Sequence, residues 1–111
     1  MRLPQNATIA HEKVSQYLLV RQSRGDKSAF LERAGFTSAN PAALTAAIQA
    51  IRDGNDALLV DESKFGRYYE VVGTMTGPNG TALRVKTIWM TEHLSGATKF
   101  ITLIPLEVLS Q

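Results

Sequence analysis

Lys27 belongs to a group of four basic residues, Arg21, Arg24, Lys27 and Arg33, that holds most of the positive excess of this chain. Asp26 is a preferred helix N-cap, so Lys27 falls in the first turn of the helix it opens, where the helix dipole disfavours a cation unless an anion is close by. A phosphate or carboxylate partner would account for that placement, and so would an exposed lysine with no role. The group of four fits either an anion-binding edge or an ordinary solvated surface. Trp89 offers a ring face on which a nucleic-acid base can stack, yet its alternation with Leu83, Val85 and Thr87 suits a core position equally well. Tyr69 shares that ambiguity, and Tyr68 becomes the exposed ring if the register shifts by one.

Other reactive types are sparse. There is no cysteine, which removes disulfides, thiolate metal sites and cysteine nucleophiles together. The two histidines, His11 and His93, are too few to build a metal site alone and read as surface residues. Asp56, Asp61 and Glu62 lie close in sequence but without regular ligand spacing, as in a solvated loop. No metal and no cofactor is expected.

Length and composition set the bounds around these residues. With 111 residues, 44% hydrophobic and 20% charged, the chain has the profile of one globular domain over 1–111. Its net charge of +2 is too small to argue for nucleic acid by bulk electrostatics. Residues 1–54 carry seven Lys/Arg against four Asp/Glu, while 55–111 carry five against six. No apolar run approaches the roughly 20 residues of a membrane helix, so no membrane partner is expected. The N-terminus lacks an apolar stretch behind its basic residue, which predicts a cytoplasmic protein, or one delivered as part of an exported toxin.

The elements that must position these side chains follow from hydrophobic period. Val14, Tyr17 and Leu18 predict a first helix over 11–20. Asp26 opens a second, with Phe30, Leu31 and Ala34 inward and Gly35 as its left-handed terminator. Asn40, Pro41 and Gly54 punctuate a third, which buries Leu44, Ala47, Ile48 and Ile51 and turns Thr45, Gln49 and Arg52 to solvent. Past Gly54 the period falls from about 3.6 to about 2. Residues 57–60 read as an edge strand and 61–64 as loop. Strands follow over 67–75 and 81–91, joined by a hairpin at Thr76-Gly77-Pro78-Asn79-Gly80. After a reversal at 92–97 a last strand over 99–104 is stopped by Pro105. The architecture that uses these pieces is α+β: two to three N-terminal helices packed on one face of a three- to four-stranded antiparallel meander. Its other face is left partly open, for a binding partner or for a second copy in a homodimer.

The run Gly25-Asp26-Lys27-Ser28-Ala29-Phe30-Leu31 with Gly35-Phe36, then Tyr68 to Gly80, Val85-Lys86-Thr87-Ile88-Trp89 and Phe100 to Pro105, resembles a family of small bacterial domains. These occur alone and at the C-termini of polymorphic toxins and phage-related proteins. Helices before a four-stranded sheet are similar in turn to compact metal-independent ribonucleases: RelE-like toxins, colicin tRNA nucleases and EndoU relatives. That resemblance implies RNA as substrate, an immunity-type protein as partner, and cleavage by a base, a phosphate-binding cation and an acid. It implies Lys27 at the phosphate, Arg67 or Arg84 as a second cation, Tyr69 as phenolic proton donor, and Thr87 and Thr102 as positioners. Arg24, Arg84 and Trp89 would contact substrate. Members of the family often carry a histidine before the lysine helix, where this chain reads Arg21-Gln22-Ser23-Arg24. The alternative is a non-catalytic interaction module that uses its sheet face, consistent with the lack of a recognisable acid-base pair.

Overall fold

Alternation of apolar and polar residues after Gly54 becomes a four-stranded antiparallel meander in the computed structural model, which describes residues 1–109. The strands are β1 (Leu58–Glu62), β2 (Gly66–Thr76), β3 (Ala82–Glu92) and β4 (Thr98–Leu109), in the spatial order β1-β2-β3-β4. Tyr69, Val71 and Met75 of β2 lie on the buried face with Leu83, Val85, Thr87 and Trp89 of β3. The opposite face carries Glu70, Val72, Arg84 and Lys86, with a Lys86–Glu70 ion pair at 3.5 Å.

The helical layer covers the buried face. Its main member is α2 (Pro41–Gly54), which inserts Leu44, Ile48 and Ile51, all at most 1% exposed. Each such side chain contributes about 1.5–3 kcal/mol relative to exposure. The helix rests directly on β2 because Gly73 has no side chain: a Cβ there would stand 3.1 Å from Ile51 Cγ2 and 2.8 Å from Asn55 Nδ2. The shorter α1 (Ser28–Glu32) runs through Arg33 into a turn closed by Gly35, whose φ of 89° is open to glycine at no steric cost.

Five local expectations are corrected. The first helix is one turn from His11 followed by a π-helix, Lys13–Leu18, in which Leu19 N–H reaches Val14 C=O. The wider turn keeps Val14 and Leu18 in the core but swings Tyr17 out to 39% exposure. Arg52 is buried, at 6% exposure, because Nη1 donates to Ala7 C=O at 2.8 Å while Nε and Nη2 grip Asp53. Gly54 closes α2 from inside, and Asn55 follows in extended conformation. Asp61 and Glu62, expected in a loop, belong to β1. Pro105 does not stop β4: it sits on an edge strand opposite Val85, beside a bulge, the setting in which a strand tolerates proline.

The N-terminal segment completes the sheet. Thr8 N–H donates to Thr98 C=O at 2.9 Å and Thr8 C=O accepts from Phe100 N–H at 2.8 Å, a parallel bridge on the outer edge of β4. Beyond that bridge the segment leaves the edge to start the helical turn. A crevice opens where the two segments part.

Candidate functional site

Gly25, at φ 62°, and Asp26 shape the turn that delivers Lys27. Asp26 Oδ1 accepts from Ser28 Oγ at 2.8 Å and from the amides of Gln22 and Ser28 at 3.1 and 3.3 Å. The carboxyl is held below its ordinary value chiefly by the Ser28 hydroxyl. That turn aims Lys27 across the molecule at β4. Its Nζ donates to Thr102 Oγ1 at 2.7 Å and stands 5.6 Å from the centroid of the Tyr17 ring.

Thr102 is within reach because β4 bulges there: Trp89 pairs with Phe100 and Ile88 with Thr102, leaving Ile101 as the extra residue. Lys27 is half-buried, and among the described residues neither it nor Lys13 has an ion-pair partner. Burial pushes the Lys27 ammonium below the usual lysine value, and the like charge of Lys13 adds to the effect. A partly desolvated cation facing a hydroxyl and a phenol, with a second cation close by and no carboxylate in ion-pair reach among the described residues, can receive an anion. Beside it lies a pocket of about 350 Å³ lined by Thr8, Ala10, Lys13, Lys99, Phe100 and Ile101.

The other sequence-derived candidates do not gather here. Thr87 is wholly buried, donating to Val71 C=O and accepting from Trp89 Nε1, both at 2.8 Å. Trp89 is equally buried and meets Phe100 edge-on at 5.4 Å. Tyr69, 8% exposed, lies opposite Trp89 on β2, with β3 between it and β4. Arg67 is exposed and bonds Glu62 at 3.3 Å, which chiefly holds its guanidinium above the ordinary value, with Tyr69 adding to the effect. His93 joins that group, 3.5 Å from Glu62 and 3.0 Å from Ser63 C=O. This second cluster neutralises its own charge. Arg84 is exposed on the far face opposite Thr74 and Glu107, and Arg24 is exposed in the loop before Lys27. Among the described residues no group of three or more metal-ligating side chains occurs.

Lys13 and Tyr17 were not singled out from the sequence. Their spacing of four places them on one helical face, but the same spacing in Val14 and Leu18 made Tyr17 read as core. Only the π-turn separates the two stripes.

Fold and site together define a class of α+β domain in which a helical layer and an N-terminal strap frame a lysine at the edge of an antiparallel meander. The chain belongs to the family described as domain of unknown function DUF6883, whose profile matches residues 2–107. A comparison with curated proteins found no match. Among solved structures, the chain resembles one in a contact-dependent growth inhibition toxin–immunity protein complex from Klebsiella pneumoniae 342. The TM-score is 0.66 at 19% identity, covering 88% of this chain and 98% of that one. At that identity the likeness is one of fold.

Proposed function

We propose that this domain is a toxin-type ribonuclease that binds an RNA phosphodiester at Lys27 and Thr102 and cleaves it without a metal. The observation that carries the reading is the Lys27–Thr102 contact: a half-buried ammonium with no ion-pair partner among the described residues, held by a hydroxyl and flanked by Lys13 and Tyr17. The fold shared with a chain of a growth-inhibition toxin–immunity complex supports it.

Such a centre suits internal transesterification. The ribose 2'-oxygen bonds to phosphorus as its proton passes to water, and the bond from phosphorus to the 5'-oxygen breaks. Lys27 and Lys13 hold the charge that grows on the phosphoryl oxygens, and the Tyr17 phenol supplies the proton taken up by the 5'-oxygen. The products are a 2',3'-cyclic phosphate and a 5'-hydroxyl. Purified protein incubated with total RNA in EDTA should yield fragments with those ends, and uncut RNA would refute the reading.

A second reading, a module that binds a partner protein, is favoured by β1. Among the described residues this strand has no neighbour on its outer side, all five of its residues are exposed, and it displays Leu58, Leu59 and Val60 next to Asp61 and Glu62. A free apolar edge accepts a partner's strand, and the acidic pair favours one bearing Lys or Arg. The two readings combine if the partner is an immunity-type protein. Co-expression with the product of an adjacent gene, followed by size-exclusion chromatography, tests it: a 1:1 complex is expected and should be lost in Leu59→Pro.

A further inference from the structure

The crevice between the N-terminal strap and β4 touches the phosphate site without belonging to it. Lys13 lines the crevice, and its charge also acts on Lys27. Ile101 lines it too, and is the chain neighbour of Thr102. One step along β4 therefore leads from the hydroxyl that meets Lys27 to the pocket wall, about 3.8 Å between Cα atoms.

The chemistry of the walls changes over that step. Ala10, Phe100 and Ile101 supply apolar surface, while Thr8, Lys13 and Lys99 supply polar and cationic groups. Its volume of about 350 Å³ is near the lower end for small-molecule sites, which run from roughly 300 to 1,000 Å³. A flat apolar ring with hydrogen-bonding edges, attached to an anion, matches that lining. Lys99 is tied to Glu92 only across 3.7 Å at the exposed surface, so it can turn to a second phosphate.

We propose that this pocket is a base-binding subsite, holding one unstacked nucleobase next to the phosphate bound by Lys27 and Thr102. The inference rests on the phosphate reading above and adds the substrate class: single-stranded RNA or a loop, since a base paired and stacked in a duplex cannot leave its partner to enter a pocket of this size. The strap that builds one wall is fixed by the Thr8 bridge to β4 and by Arg52 on Ala7 C=O, so the subsite is formed before substrate arrives.

The test is an amide-detected NMR titration of the whole chain with adenosine 3'-monophosphate, uridine 3'-monophosphate and inorganic phosphate. The nucleotides should shift Thr8 and Ala10 as well as Lys27 and Thr102, whereas inorganic phosphate should leave Thr8 and Ala10 in place. Ala10→Trp, at an exposed position, fills the crevice and should weaken nucleotide binding at least tenfold while leaving inorganic phosphate unchanged. Nucleotide shifts confined to Lys27 and Thr102, or full nucleotide affinity in Ala10→Trp, would overturn the subsite and leave the phosphate site standing. Absence of shifts at Lys27 and Thr102 with every probe would overturn both.

Discussion

Lys27 Nζ and Thr102 Oγ1 meet at 2.7 Å across 75 positions of chain, joining the turn before α1 to the bulge of the last strand. The contact brings a cation from the helical half onto the edge of the sheet. It withdraws that cation from water without an ion-pair partner among the described residues, and an ammonium so placed costs stability until an anion arrives. The function argued for Lys27 follows from that imbalance.

Replacing the ammonium should separate activity from stability. Lys27→Ala and Lys27→Met are expected to lower RNA cleavage by about 10²–10³-fold, the usual loss for one preorganised charge-stabilising donor. Thermal unfolding of Lys27→Met should occur at an unchanged or higher temperature, because an uncompensated burial has been removed. Cleavage assays and calorimetry on the same samples check both.

The pH profile carries a sign. Lys27 must be protonated to hold a phosphate, and its folded value lies below that of free lysine. Cleavage should therefore fall with rising pH at a lower pH than an unperturbed lysine would give. In Lys13→Gln, which removes the like charge, that alkaline limb should move upward. Stability follows the same shift: between the folded and unfolded values the unfolded chain binds more protons, so stability rises with pH through that window.

Thr87 is wholly buried, so its replacement is expected to affect stability rather than cleavage. Thr87→Val leaves the buried Trp89 Nε1 without its acceptor, at a cost of about 1–3 kcal/mol. Chemical denaturation should register that loss. The cleavage rate measured well below the unfolding midpoint should stay at the wild-type level, and a specific loss of activity would return Thr87 to the reaction.

Gly73→Ala should loosen the seat of α2. The new methyl group meets Ile51 and Asn55 at sub-contact distances, and overpacking of this kind costs about 1–3 kcal/mol. Denaturant titration measures the loss. Hydrogen exchange should locate it in α2 and β2.

Asp26 makes an acid-side prediction. Its carboxyl is held low chiefly by the Ser28 hydroxyl, then by the Gln22 amide. The folded value is depressed, so its contribution is present above the unfolded value and disappears as pH falls through the folded one. Asp26→Asn should flatten the acid limb of the stability profile. Since this turn aims Lys27, the variant should also reduce cleavage.

How much of this was legible in the residues depends on the range of the interactions involved. Hydrophobic period determined the switch near Gly54 and the inward faces of α2, β2 and β3, and turn residues determined the hairpin around Gly80, whose φ is 87°. These depend on neighbours three, four or two positions apart. Lys27 stood out for a local reason as well, its place beside a helix start. The tertiary structure decided everything that required distant segments to meet. It chose Thr102 as the partner of Lys27, turned Tyr17 outward through a π-turn, and drew Arg52 inward to Ala7. It also sealed Thr87 and Trp89 in the core and left Arg67 paired with Glu62 in a separate cluster. A short-range pattern specifies which face of an element is apolar. Which polar side chains share a cleft depends on bulges, strand order and the path of the N-terminal strap, and these emerge only when the whole chain packs.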